Sequence, residues 1–384
     1  MSHRVDPTLI KEVEKFGKGS WNECFHCGQC TANCPLTEEG SLFPRSGYRA
    51  LQMGMRDKLQ AGVEPWLCYY CGDCSKQCPR DANPGETMMV LRRWLTSRYD
   101  WTGLAKKFYT SHWWELIAVL VIGTIVGLLF SVFNPNGIVT ELNPDGGVRI
   151  NDMFPIKWVH LGDLVMAACI AFLLVTNLFR MWYFTILKQK ETRVPFVLYF
   201  TEVWNLVVHF ATQKKFNKCD NKKYWAGHWL LMSGYVIMFT MIVAFLPWFQ
   251  TDIIYEWYEP QRLLGYYATF GLTVGLIYFF WGRIKKAAKS TFQFSHISDW
   301  LFIIMLLLTT LTGIALHFFR IYGMAEATYW MYIFHMAILV PMLVIEVPFS
   351  KWSHLAYRPF AAYFARVKKA AVSRNAVKEK LVLN

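Results

Sequence analysis

Two copies of one cysteine pattern carry the most specific chemistry in this chain. Cys24, Cys27 and Cys30 are followed by Cys34-Pro35, and Cys68, Cys71 and Cys74 by Cys78-Pro79, at identical spacing. Three thiolates at i, i+3 and i+6 wrap around three irons of a cubane, while a fourth cysteine before proline turns away to the other cluster. The spacing therefore predicts two [4Fe–4S] clusters. Cys24, Cys27, Cys30 and Cys78 are expected to hold one, and Cys68, Cys71, Cys74 and Cys34 the other. Crossed ligation also clips together the halves of a domain too small for a thick core. Zinc sites use cysteines in pairs, and disulfides do not suit a cytoplasmic domain, so neither accounts for the third thiol and the trailing Cys-Pro. Cys169 reads as core, and Cys219 lies in a basic loop with no partner.

Histidines offer the second chemistry. A low-spin b haem takes one neutral imidazole on each side of its iron. His228 and His354 fall at the same end of two long apolar segments, which makes them the predicted axial pair of an inner haem b. Gly234, in the turns after His228, is expected to let the porphyrin approach the backbone. His335 precedes His354 by about five helical turns, or ~28 Å at 1.5 Å per residue, and is the predicted ligand of an outer haem b. Its partner is His317, one turn after Gly313, or His160, with Met238 or an open position as further alternatives. His209 is a candidate for a supporting or quinone-site role. Asp163 and Glu346 could relay protons or be paired structural acids.

Positioning these groups takes two kinds of scaffold. The chain has 384 residues, 54% hydrophobic and only 17% charged, against roughly 45–50% and 25% in a soluble domain. That balance excludes a disordered chain and disfavours a wholly soluble one. Residues 1–113 contain 15 Lys/Arg, 12 Asp/Glu and eight of the ten cysteines, with no long apolar run and no secretory signal in residues 1–20. They read as a cytoplasmic domain with a helix-friendly stretch at 48–60. Residues 114–357 contain six segments long enough to cross a bilayer, at 114–133, 158–184, 226–249, 263–281, 300–319 and 330–347. Residues 358–384 form a basic cytoplasmic tail. The expected fold class is all-α throughout.

Charge sets the expected orientation. The connections between spans two and three and between four and five, together with the tail, hold 20 Lys/Arg, including Lys214, Lys215, Arg283 and Lys285. The remaining connections hold four. By the positive-inside rule the first set is cytoplasmic, and six spans place both termini inside. The net charge of +13 is thus topological, and no nucleic-acid partner is needed to explain it. One apolar segment, 195–210, is too short to span and is expected to lie along the inner interface or pack beneath the bundle.

The 33 residues between Cys34 and Cys68 exceed the insert of a compact bacterial ferredoxin. The first hundred or so residues resemble the α-helical ferredoxin type found in the small iron–sulfur subunit of heterodisulfide reductase. The membrane part resembles that enzyme's cytochrome b subunit and, more distantly, the γ subunit of respiratory nitrate reductase. The run Pro348-Phe349-Ser350-Lys351-Trp352-Ser353-His354 matches that family's second haem histidine. His335 matches the earlier one with one residue's offset, and Met238 stands where a further histidine is expected. Both modules in one chain resemble the membrane subunit of the quinone-interacting membrane-bound oxidoreductase (Qmo) family of sulfate-reducing bacteria.

That resemblance implies a bacterial inner-membrane electron carrier. Menaquinol would be the electron donor, and two cytoplasmic flavin and iron–sulfur subunits the recipients, which would in turn serve adenylylsulfate reductase. The alternatives are a subunit of a heterodisulfide-reductase-type complex, a haem-free anchor, or an ion pump. No Gly-x-Gly-x-x-Gly fingerprint is present, so no flavin or nicotinamide is expected on this chain. No doubled Cys-Cys-Gly run is present either, so substrate chemistry beyond the quinone is expected on other subunits.

Overall fold

The computed structural model describes residues 5–37, 42–132, 134, 136–189, 193–286, 292 and 294–383. Among them the regular structure is helical, apart from one isolated bridge between Leu142 and Val148. Short helices build the N-terminal domain around a longer one, Pro84–Tyr99. That helix starts where sequence dictates: the Asn83 side chain accepts the Glu86 N–H, and Pro84 occupies the first turn. Its Met88, Leu91, Trp94 and Leu95 are buried against Leu9, Val13, Tyr48, Leu51 and Trp66. The stretch expected as helical at 48–60 forms two helices, Arg45–Gln52 and Arg56–Ala61. The break falls at Gly54, where a Cβ would lie 2.4 Å from the Asp6 carbonyl oxygen. Arg56 then pairs with Asp6 and Glu12 at 2.6 and 2.5 Å and ties the N-terminal segment down.

Among the described residues six helices are long and apolar enough to cross a membrane: Trp113–Val132, Ile156–Leu187, Lys222–Phe249, Pro260–Lys285, Ile297–Ile321 and Ala325–Phe349. They are called spans one to six below. The sixth is the axis of the bundle, with 72% of its most apolar window buried against 11% for the first. Cys169 is exposed on the second span rather than in the core.

Spans three and four make the closest crossing. A Cβ on Gly234 would lie 2.7 Å from the Ala268 carbonyl oxygen, and one on Gly271 would lie 2.7 Å from the Leu230 carbonyl oxygen. Gly234 therefore serves backbone-to-backbone helix packing, as small residues do in membranes, and not the porphyrin clearance expected from its place after His228. Gly234→Ala is expected to push the two spans apart and to cost about 1–3 kcal/mol, the usual range for overpacking. Thermal unfolding in detergent checks this; an unchanged midpoint would contradict it.

The apolar segment at 195–210 forms helices Val197–Thr201 and Val203–Thr212. Phe196, Phe200 and Trp204 are exposed along it, while the Tyr199 carbonyl accepts the Tyr363 hydroxyl at 2.5 Å. The segment thus packs on the C-terminal helix, His354–Leu383, and leaves a second apolar face open. That C-terminal helix is no separate appendage. Its Tyr357, Ala361, Phe364 and Val367 are buried in the same core as Trp66, Trp94 and Tyr99.

A buried ionic junction joins the two parts. Asp299, at the start of span five, meets Lys351 at 2.5 Å, Arg93 at 3.9 Å and Arg283 at 4.0 Å. Arg93 also reaches Glu86 at 3.2 Å. Three elements of the membrane part and the central helix of the N-terminal domain therefore share one carboxylate. A buried charge persists only when its partners offset the lost hydration, and here those partners come from both parts.

Candidate functional site

The two cysteine runs, Cys-Phe-His-Cys-Gly-Gln-Cys and Cys-Tyr-Tyr-Cys-Gly-Asp-Cys, fold alike. His26 and Tyr70 are left-handed at φ +58° and +55°, and Gly28 and Gly72 at +87° and +85°. Each glycine begins a short helix, Gln29–Asn33 or Asp73–Lys76, that carries the third cysteine. Such alternation of handedness turns successive N–H groups into a concavity that suits an anionic cluster. The Tyr70 N–H already points to Cys68 Sγ at 3.3 Å.

The last cysteine of each run has thiols of the other run as neighbours. The Cys30 thiol feels those of Cys24, Cys27 and Cys78, and the Cys74 thiol those of Cys68, Cys71 and Cys34. A small cavity is bounded by Cys34, Cys68, Cys71 and Cys74. Burial pushes the Cys34 thiol up to about 12 and that of Cys74 well above its ordinary value. Buried, convergent thiols with raised proton affinity are satisfied when a metal displaces their protons. The donor set fits two cubanes.

His228 and His354 also come together, with ring centres 6.3 Å apart. Two imidazoles binding one metal from opposite sides, each at about 2.0 Å, hold their centres about 6 Å apart. The orientation fits as well. His228 Nδ1 meets the Gln213 side-chain oxygen at 2.9 Å, and His354 Nδ1 meets the Lys351 carbonyl at 2.6 Å. An acceptor on Nδ1 fixes the tautomer that leaves Nε2 free to ligate. Burial holds His354 well below its ordinary value, in the neutral form a metal needs. The rings line a cavity with Arg92, Arg283, Lys351 and Arg358 among its walls, cations suited to the carboxylates of a haem b.

The outer candidates are not gathered in this way. His335 Nδ1 meets the Thr312 hydroxyl at 2.8 Å, and Gly313 lies against its ring. The Arg262 guanidinium sits 3.0 Å from His317 Nε2, with Tyr266 beside it. His160 Nε2 meets the Val243 carbonyl at 3.2 Å. Asp163 is buried in span two and Glu346 in span six. The Ser350 hydroxyl donates to Glu115, whose carboxyl lies beside that of Glu346.

Sequence reasoning missed what lies between the two sites. Tyr69 stacks on Phe216 at 4.5 Å and 16°, and Phe216 meets the His228 ring edge-on at 5.7 Å. Arg358 lies 3.5 Å over the Tyr69 ring, and its guanidinium donates to the Cys68 carbonyl, as does that of Arg92. His209 approaches the Tyr69 hydroxyl at 3.4 Å. Cys219, expected to be without a partner, is fully buried and reaches Cys71 and Asp73. The only signal in the sequence was an apolar residue and a cysteine inside an otherwise basic loop.

Comparison with known proteins bears on the N-terminal part. The family described as a 4Fe-4S dicluster domain matches residues 20–82. Over 102 residues the chain is 33% identical to a heterodisulfide reductase C-subunit-like protein of Archaeoglobus profundus, a match covering 26% of this chain and 54% of that relative. The chain thus spans about half the length of the curated relative it matches. No solved structure matches it. A ferredoxin-type dicluster domain, with cysteines for two [4Fe–4S] clusters, is therefore followed by six long apolar helices in an all-helical chain.

Proposed function

We propose that this chain is the membrane subunit of a quinone-interacting oxidoreductase of the Qmo type, which moves electrons between menaquinol and cytoplasmic flavin and iron–sulfur subunits, and through them adenylylsulfate reductase. The observation that carries the proposal is the continuous contact from the His228–His354 pair through Phe216 and Tyr69 to the second cysteine run. In this reading Cys24, Cys27, Cys30 and Cys78 hold one cluster, and Cys68, Cys71, Cys74 and Cys34 the other. His228 and His354 ligate an inner haem b.

When bound, these groups supply one-electron carriers. The residues around them orient and insulate. Gln213 and the Lys351 carbonyl fix the imidazole tautomers. Arg92 and Arg358 clamp the Cys68 carbonyl and so set the position of the second run. Tyr235, Phe302 and Trp352 pack together in the wall of the cavity that the two imidazoles line.

An outer haem b on His335 completes the path across the membrane, with His317 or His160 as its second ligand. Either ligand must first leave its present partner, Arg262 or the Val243 carbonyl. The charge asymmetry of the connections supports a cytoplasmic side for the dicluster domain. A second reading, a subunit of a heterodisulfide-reductase-type complex, is favoured by the likeness to the archaeal relative.

Reduced-minus-oxidised spectra and the iron and haem content of the purified chain test the proposal. A b-type α band that appears on adding a menaquinol analogue, with eight irons in clusters and two haems per chain, is expected. One haem per chain removes the outer site alone. A colourless membrane part rejects the conduit. Electron delivery from the assembled complex to adenylylsulfate reductase, and not to a heterodisulfide, separates the two complexes.

A further inference from the structure

Cys219 belongs to the connection between spans two and three, yet it is fully buried against the dicluster domain. It shares a small aromatic cluster with Tyr69, Phe216, Tyr224 and Phe292. One ligand atom from each of Cys71, Asp73 and Cys219 lies within 4.8 Å of the others. The adjacent Asp220 N–H donates to Asp73 Oδ2 at 3.1 Å, which pins the loop in register with the second cysteine run. A few residues earlier, the same connection supplies Phe216 to the Tyr69 ring and Gln213 to His228.

We propose that the Cys219 thiol donates a hydrogen bond to the Cys71 sulfur and thereby sets the reduction potential of the second cluster. The inference rests on the reading of Cys71 as a ligand of that cluster. An iron-bound Cys71 carries no proton, so within the trio Cys219 is the side chain with an S–H to give. Donors aimed at ligand sulfurs stabilise the more negative, reduced cluster and raise its potential. The Asp73 carboxylate beside them acts in the opposite sense, and its Oδ2 is partly neutralised by the Asp220 N–H. The membrane part thus reaches across and adjusts the carrier nearest to it, through the segment that also contacts the imidazole pair.

The test is a redox titration of the intact chain in detergent, followed by EPR, for Cys219→Ala and Cys219→Ser, with Cys71→Ala in parallel. Cys219→Ala is expected to keep the full iron content and shift the midpoint of one cluster downward, leaving the other cluster and the haem unchanged. Cys219→Ser, whose hydroxyl still donates, is expected to return the midpoint toward the wild-type value. An unmoved midpoint in Cys219→Ala overturns the proposal. Loss of iron from that variant also overturns it, because Cys219 would then be a ligand. If Cys71→Ala retains both clusters, the underlying ligand reading fails instead.

Discussion

His354→Ala is expected to abolish haem binding at the inner site and to stop quinol-dependent reduction of the clusters, while both clusters persist. His354 follows the sixth span through a tight Lys351–Ser353 turn, and the Lys351 carbonyl on its Nδ1 aims Nε2 at the cavity. His228 comes from a different helix and faces it at 6.3 Å between ring centres. Alanine removes one of the two proposed ligands and leaves His228 as the single imidazole facing the cavity. The clusters depend on thiols of the N-terminal domain, so their EPR signals and iron content should not change. Gln213→Leu should act more mildly, about 10–100-fold in haem affinity, as befits a residue that only orients a ligand. Optical titration of haem into the apo-protein measures both. Full haem content in His354→Ala would refute the pairing with His228.

The features that can be read correctly from the chain are those with a short period. Cysteines at steps of three and apolar runs of twenty leave an imprint that no packing detail can erase, and so the dicluster domain and the six long helices are legible. What is not legible depends on partners distant in sequence. Gly234 reads as clearance for a ring because it follows His228 by six residues, but its neighbour is the Ala268 backbone on another helix. Residues 358–384 read as a tail because they are basic. The face that completes the N-terminal core, with Tyr357, Ala361, Phe364 and Val367, follows a helical period that the intervening lysines and arginines conceal. The connection holding Gln213, Phe216 and Cys219 reads as a polar loop, since nothing local announces that three of its side chains reach three different sites. His228 and His354 can be matched by depth, because both sit at span ends. His335, His317 and His160 share a depth too, yet Arg262 and the Val243 carbonyl occupy the latter two, and depth alone carries no information about such competitors.

Cys78→Ser should damage the cluster otherwise held by Cys24, Cys27 and Cys30, although Cys78 belongs to the other run. In the fold, helices Gln29–Asn33 and Asp73–Lys76 lie side by side, and the last cysteine of each run has thiols of the other run as neighbours. Cys24 and Cys30 both have Cys78 as a neighbour, while Cys34 has Cys68 and Cys71. Serine is a poorer ligand than thiolate for a soft iron–sulfur core, so this cluster should lose an iron or convert to a different EPR signal. The other should keep its spectrum and its midpoint. Stability should fall as well, because the exchanged cysteines staple a domain whose core is small; the variant is expected to unfold at lower denaturant than the wild type when both are cluster-loaded. Cys34→Ser gives the mirror result, sparing the first cluster. Selective loss of the signal belonging to Cys68, Cys71 and Cys74 in Cys78→Ser would show that each run closes on itself, and the two halves of the domain would then be held only by side-chain packing.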